Sequence, residues 1–233
     1  MAPRIPNATY RLQLNKNFDL RRAKRMVKYL SDLGISDCYS SPLLKARAGS
    51  LHCYDVVDHN TLNPELGTEK EFDAFVSELK RRGMGLLLDI VPNHMGAGDE
   101  NRIWMSVLEF GKASPYASYF DIDWSKRGNP KDKLFLPILG EPLDETVAAG
   151  RLCVSFDPKT AKLFLELYDN QKFPLSPRSY ARVLNLALGN LPGRNLNASF
   201  IASLKSLRSS LEQLEESSSR ETYYRLALRR GDE

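Results

Sequence analysis

The order in which short apolar runs alternate with amphipathic segments before His94 restricts the fold of this chain more than any other feature. Thr9-Tyr10-Arg11-Leu12-Gln13-Leu14 reads as a first strand, with polar Arg11 and Gln13 interleaved among larger residues. Asp19 is a good N-cap for a helix whose apolar face is Leu20, Ala23, Met26, Val27, Leu30 and Leu33, and Gly34 ends it. Ile35 to Ser41 reads as a second strand, stopped by Pro42. Thr68 and Glu71 form a capping box, opening a helix that buries Phe72, Phe75, Val76 and Leu79 and closes at Gly83. Met84 to Val91 then reads as a buried parallel strand, carried by the apolar run through Leu88. Strand, helix, strand, long loop, helix, strand predicts an α/β protein with a parallel sheet. Right-handed crossovers place the strands' C-terminal ends on one edge, so Tyr10 to Gln13, Ser41 to Tyr54 and Asp89 to His94 are expected to converge there.

Asp89-Ile90-Val91-Pro92-Asn93-His94 is the candidate site. An Asp at the end of an apolar run is costly to bury unless paired, and Asn93 and His94 follow it as the strand runs out. Polar residues at the exit of a barrel strand are the usual position for substrate chemistry. The same spacing also fits a turn-capping Asp and a structural imidazole. Leu43 to Pro64 reads as a long irregular connection carrying Arg47, Gly49, His52, Tyr54, Asp55, Asp58 and His59, a length that is commonly functional. After His94 the pattern breaks into a stretch rich in Gly, Pro and aromatics, including Trp104 and Trp124. Val154 to Phe156 and Lys162 to Tyr168 predict a hairpin turning at Asp157-Pro158-Lys159-Thr160. Phe200, Leu204, Leu207, Leu211 and Leu214 predict a helix with a narrow apolar seam used for core packing.

The balance of 33 Lys+Arg against 29 Asp+Glu leaves only +4, and the basic residues are scattered, often beside acidic ones. That distribution argues against a nucleic-acid partner. No apolar run reaches membrane-spanning length, and Met1 to Pro6 carries no signal-type apolar region. Cys38, Cys53 and Cys153 are odd in number and lack metal-type spacing, which suits buried thiols in a reducing cytoplasm and predicts neither a metal site nor a disulfide framework.

Several blocks carry a family resemblance. They are Thr9–Leu14, Ser41-Pro42, the Lys45–Asp58 loop, Asn63-Pro64-Glu65-Leu66-Gly67, Asp89–Met95, Phe120-Asp121-Ile122-Asp123-Trp124 and Ser176-Pro177-Arg178-Ser179-Tyr180. Together they make the chain resemble the N-terminal third of the malto-oligosyltrehalose synthases, in the α-amylase clan. The Asp89–His94 element marks the wider clan, and the Phe-Asp-Ile-Asp-Trp and Ser-Pro-Arg-Ser-Tyr blocks mark the trehalose-forming branch. The resemblance implies an incomplete TIM (β/α)8 barrel, strands one to three, with a large irregular and mostly helical insertion after the third strand. Residues 1–94 would be the barrel portion, 95–220 the insertion and 221–233 the start of the return to the barrel.

The implied reaction rearranges the reducing-end α-1,4 bond of a maltodextrin to α,α-1,1. It needs no cofactor, and retention requires two carboxyl groups about 5 Å apart. By the same resemblance His94 meets the hydroxymethyl of the sugar at the cleavage subsite, and Asp89 supports the site by pairing with an arginine of a fourth strand. Tyr54 stacks on a glucose ring, His52 donates to a sugar hydroxyl, and Asn93 fixes the loop in place of a calcium site. Cys53 departs from the pattern, standing where the family has Gly; a positive φ there would strain the loop and misplace Tyr54. The nucleophile and acid/base are expected beyond Glu233, which leaves a substrate-gripping fragment without its own covalent chemistry. The alternatives are a non-catalytic maltodextrin-binding module, or one part of a split enzyme whose partner supplies a complementary C-terminal half.

Overall fold

The structure, a computed structural model, describes residues 5–124, 134–168, 171–190 and 197–216. It divides into two compact units, Met1–Asn101 and Arg102–Glu233. The first runs β1 (Thr9–Leu12), α1 (Leu20–Asp32), β2 (Asp37–Ser40), β3 (Leu44–Ala46), β4 (Val56–Leu62), α2 (Glu69–Arg81) and β5 (Gly85–Leu88). Strands β1, β2 and β5 form a parallel sheet in that order, with Arg11, Tyr39 and Leu87 in one register row and Tyr10, Cys38 and Leu86 in another. The alternation expected of a pleated strand sorts these rows. Leu12 and Cys38 face the helices and join Leu20, Ala23, Val27, Leu30, Phe75 and Leu79 in one core, with Leu86 partly buried against it. Arg11 and Tyr39 therefore project from the opposite face, and the α/β class read from the sequence holds.

Both helices begin as their caps require. Asp19 accepts the Arg22 amide at 2.8 Å, and the Thr68–Glu71 box closes through the Thr68 amide to Glu71 Oε2 at 2.7 Å. Gly34 ends α1 at φ 87°, a conformation open to it because it lacks a Cβ. The apolar face of α1 is narrower than expected: Met26 and Leu33 are exposed, because they sit at the margins of the stripe centred on Ala23, Val27 and Leu30.

Two further expectations for this unit are corrected. Leu43 to Pro64 is not irregular throughout; β3 and β4 pair as an antiparallel hairpin with register shifts on either side of Lys45. The polar run Asp58-His59-Asn60-Thr61 hid the strand, since most of that length is solvent-exposed. The third parallel strand is shorter than Met84–Val91 and is not buried on both faces. Leu87 is 41% and Leu88 53% exposed, because among the described residues β5 pairs with β2 alone.

The second unit contains α3 (Arg102–Phe110), α4 (Leu143–Ala148), β6 (Leu152–Asp157), β7 (Lys162–Leu167), β8 (Gln171–Pro174), α5 (Pro177–Gly189) and α6 (Ala198–Glu216). The predicted hairpin is β6–β7, and its turn is built on Asp157, which accepts from the Lys159 amide at 2.9 Å and the Thr160 hydroxyl at 2.7 Å. A third antiparallel strand, β8, extends it; four residues ending in Pro give little periodic signal. On α6 the expected seam is only partly buried. Leu211 packs with Tyr180 and Ala181, while Phe200 and Leu207 are half-exposed. Cys38 and Cys53 are buried as expected, but Cys153, at an outward position of β6, is exposed. Among the described residues no helix is long and apolar enough to cross a membrane. Residues 217–233, including the stretch read as a return to the barrel, lie outside the described residues.

Candidate functional site

Arg11 on β1, Tyr39 on β2 and Asp89 just past β5 lie on the sheet face away from the helices, at the strands' C-terminal ends. The loop before β4 adds Tyr54. Asp89 Oδ2 accepts from Arg11 Nη1 at 3.2 Å, from the Tyr39 hydroxyl at 2.9 Å and from the Tyr54 hydroxyl. Burial opposes the Asp89 charge, and the donors from Tyr54, Tyr39 and Arg11 outweigh it, so its carboxyl lies below the ordinary carboxylate range. The same contact raises the Tyr39 phenol, reinforced by burial. Arg11 Nη2 reaches the Tyr54 hydroxyl at 3.2 Å and Gln13 Oε1 at 3.1 Å, and the guanidinium lies 4.8 Å from the Tyr39 ring centroid. Gln13 Nε2 in turn donates to Leu51 O at 3.1 Å, tying the loop backbone to β1.

The histidines serve this loop. His52 Nδ1 accepts the Tyr54 amide at 3.0 Å, and the two rings stack with centroids 6.2 Å apart. His94 Nε2 donates to Tyr54 O at 3.1 Å, and its Nδ1 lies 2.8 Å from Asn93 Oδ1. His59 Nε2 likewise donates to Val91 O at 3.1 Å. Two histidines thus clamp the hairpin to the segment leaving β5. Gly96 closes the same junction: its amide meets Val56 O at 2.8 Å, and an added Cβ would come within 3.0 Å of Asp55 O.

Cys53 adopts φ 62°, so the residue standing in the place of Gly is held in the left-handed region. Beside it, the Tyr54 hydroxyl reaches Asp89 Oδ2 and Arg11 Nη2. Cys53 is fully buried, its amide bonds Ser50 Oγ at 3.1 Å, and Asn63 Nδ2 approaches its sulfur at 3.8 Å. Burial pushes the thiol pKa up, so Cys53 packs as a neutral side chain. Left-handed backbone at a residue with a Cβ costs about 1–2 kcal/mol. Cys53→Ala loses the thiol packing and keeps that cost, whereas Cys53→Gly sheds it. In urea denaturation Cys53→Gly should exceed Cys53→Ala in stability by about 1 kcal/mol; equal midpoints would mean the backbone is unstrained.

Of the residues expected at the site, His52, Tyr54, Asp89, Asn93 and His94 are brought together. Trp104 and Trp124 belong to the second unit, against Phe120 and Lys112 respectively. Arg11 and Gln13 come with the Tyr10–Gln13 stretch expected at this edge, though without a role assigned to either. Tyr39 was not expected, and its sequence signal is placement, alternating with core residues near a strand's C-terminal end. Asp89 is paired here with an arginine of β1, where the resemblance implied one from a fourth strand. A groove between α1 and α2, of about 510 Å³ and lined by Arg21, Lys24, Arg25, Lys28, Glu71 and Glu78, lies on the outer helical surface. Arg21 pairs with Glu71, and Glu78 with Arg81 and Arg82, so it is a solvated charged surface. Among the described residues no group of three or more His, Cys, Asp and Glu side chains is placed to hold a metal.

The alpha-amylase catalytic domain model matches residues 16–171. A putative maltooligosyl trehalose synthase of Mycobacterium tuberculosis is 42% identical over 144 residues, covering 59% of this chain and 18% of that protein. The alpha-amylase SusG of Bacteroides thetaiotaomicron is 36% identical over 102 residues, 44% of this chain and 14% of that one. The crystal structure of a maltooligosyl trehalose synthase superposes with a TM-score of 0.67 at 44% identity, over 73% of this chain and 22% of that one. The Arthrobacter ramosus maltooligosyltrehalose synthase gives a TM-score of 0.63 at 40% identity, over 73% and 21%. The chain spans about a fifth of the length of these trehalose synthases. It belongs to the alpha-amylase catalytic-domain family, and within that family it resembles the maltooligosyl trehalose synthases.

Proposed function

We propose that the chain grips the reducing end of a maltodextrin for rearrangement of its terminal α-1,4 bond to α,α-1,1, as part of trehalose formation in the cytoplasm. In this reading β1, β2 and β5 are strands one to three of a (β/α)8 barrel, and the second unit is an insertion after the third. The observation that carries it is the Arg11–Tyr39–Tyr54–Asp89 cluster at the strands' C-terminal ends, where barrels of this type place substrate. Tyr54 offers its ring to the apolar face of a glucosyl unit. Asn93 orients His94, and His94 fixes the Tyr54 backbone beside the sugar's hydroxymethyl. His52 supports the same ring and presents its outer nitrogen to a hydroxyl. The transfer is intramolecular and draws on no metal or cofactor.

Grip and covalent chemistry are divided. Retention needs two carboxyl groups about 5 Å apart. Near this edge Asp55 accepts from Ser50, Asp58 from the Asn60 amide and Thr61, and Asp89 from three donors. All three carboxylates act as structural acceptors, so we assign the nucleophile and acid/base to residues outside those described. Calorimetric titration of the 233-residue chain with maltopentaose, beside an assay for lost reducing ends, tests this. Binding without turnover is expected. No heat at millimolar sugar removes the grip, and loss of reducing ends removes the division.

A second reading, one half of a split enzyme, is favoured by β5, whose Leu87 and Leu88 are exposed together with the following Ile90. A co-purifying partner that covers them would identify it.

A further inference from the structure

Asp89 is a one-sided acceptor. Each of the three donors that reach it goes to Oδ2, and among the described residues none reaches Oδ1. The side chain is only 12% exposed, and its three donors come from three separate segments. One guanidinium makes this possible. Arg11 spans four segments at once, bonding Asp89 after β5, Gln13 after β1 and the Tyr54 hydroxyl, and lying over Tyr39 of β2. Only a planar fork of several N–H donors serves so many acceptors; an ammonium is a single point of charge. Through Gln13 the link continues to the Leu51 carbonyl, three residues before Tyr54.

We infer that Arg11 is a positioning residue for the glucosyl unit: its guanidinium ties Asp89, Gln13, Tyr39 and Tyr54 into one assembly and so fixes the Tyr54 ring against the sugar. Without Arg11 the carboxylate would retain two phenol donors and no counter-charge, and Tyr54 would lose its second anchor. The inference rests on the maltodextrin-gripping reading above and gives a role to a residue for which the resemblance implies none.

The test is a double-mutant cycle on the 233-residue chain, with maltopentaose affinity measured by calorimetry and stability followed in urea. Arg11→Met should weaken binding about tenfold or more, the loss of one charged hydrogen bond. Arg11→Lys should recover part of that loss, because it restores charge but not the fork. Tyr54→Phe should weaken binding as well, and Arg11→Met with Tyr54→Phe should fall well short of the product of the two single effects, since both act on one assembly. A purely structural arginine would move urea midpoints and leave affinity and coupling unchanged. Wild-type-like affinity in Arg11→Met and Arg11→Lys, or strictly multiplicative losses, overturns the inference alone. Where Arg11→Met does not fold, Arg11→Lys carries the decision: unchanged affinity, or a loss multiplicative with Tyr54→Phe, overturns it. A wild-type chain that ignores maltopentaose overturns the gripping reading, and this inference with it.

Discussion

Replacing Asp89 with Ala is expected to cut maltopentaose affinity by about 10- to 100-fold, the range for one lost hydrogen-bonding charge. Arg11, Tyr39 and Tyr54 would all lose their common acceptor, and the guanidinium would be left beside an apolar Cβ. Arg11 is 35% exposed, so water recovers part of the loss and the stability cost should be about 2 kcal/mol rather than the full penalty of an orphaned buried charge. The pH dependence separates this from simple damage. The folded-state pKa of Asp89 is depressed, so its contribution to stability is complete above the unfolded value near 4 and is lost as pH falls through the folded value. Asp89→Ala should therefore lie below wild type at neutral pH and approach it in strong acid. Parallel curves across the acid range would show that Asp89 does not titrate differently on folding.

Phe75→Ala is expected to give the largest stability loss in the first unit, about 3–5 kcal/mol. Phe75 is completely buried on α2, in the core shared with Leu20, Ala23, Val27 and Leu30 of α1 and Cys38 of β2. The cost combines lost transfer energy with the cavity left behind, which rigid neighbours fill poorly. Because this core backs the sheet that carries Arg11, Tyr39 and Asp89, the variant should lose sugar binding at the temperature at which its unfolding begins. Chemical denaturation of both proteins measures the difference; a loss below about 1 kcal/mol would mean the core collapses around the gap.

Local rules carried much of the first unit. Asp19 and the Thr68–Glu71 box started their helices where the sequence placed them, since caps satisfy backbone amides within a few residues and need no distant partner. The β6–β7 hairpin was legible for the same reason, its turn being closed by Asp157 over three residues. Errors came where a neighbour decides. Leu87 and Leu88 look like core residues, yet their burial depends on strands and helices that the residues themselves do not encode. Phe200 and Leu207 fit a seam, but α6 meets α5 along Leu211. Asp58 to Thr61 looked like loop because exposed polar residues conceal a strand's alternation.

The sequence by itself determined the α/β order, the boundaries of α1 and α2 and the gathering of Tyr54, Asp89, Asn93 and His94 at one sheet edge, because periodicity, capping and crossover handedness are properties of short stretches. Only the tertiary structure decided that Arg11 and Tyr39 are partners of Asp89, that Cys53 tolerates φ 62°, and that His94 holds the Tyr54 carbonyl. Each of these depends on which atoms distant segments bring within hydrogen-bonding or packing distance. Arg11 and Asp89 are 78 residues apart, and their meeting is fixed by the β1-β2-β5 order, not by either residue's neighbours.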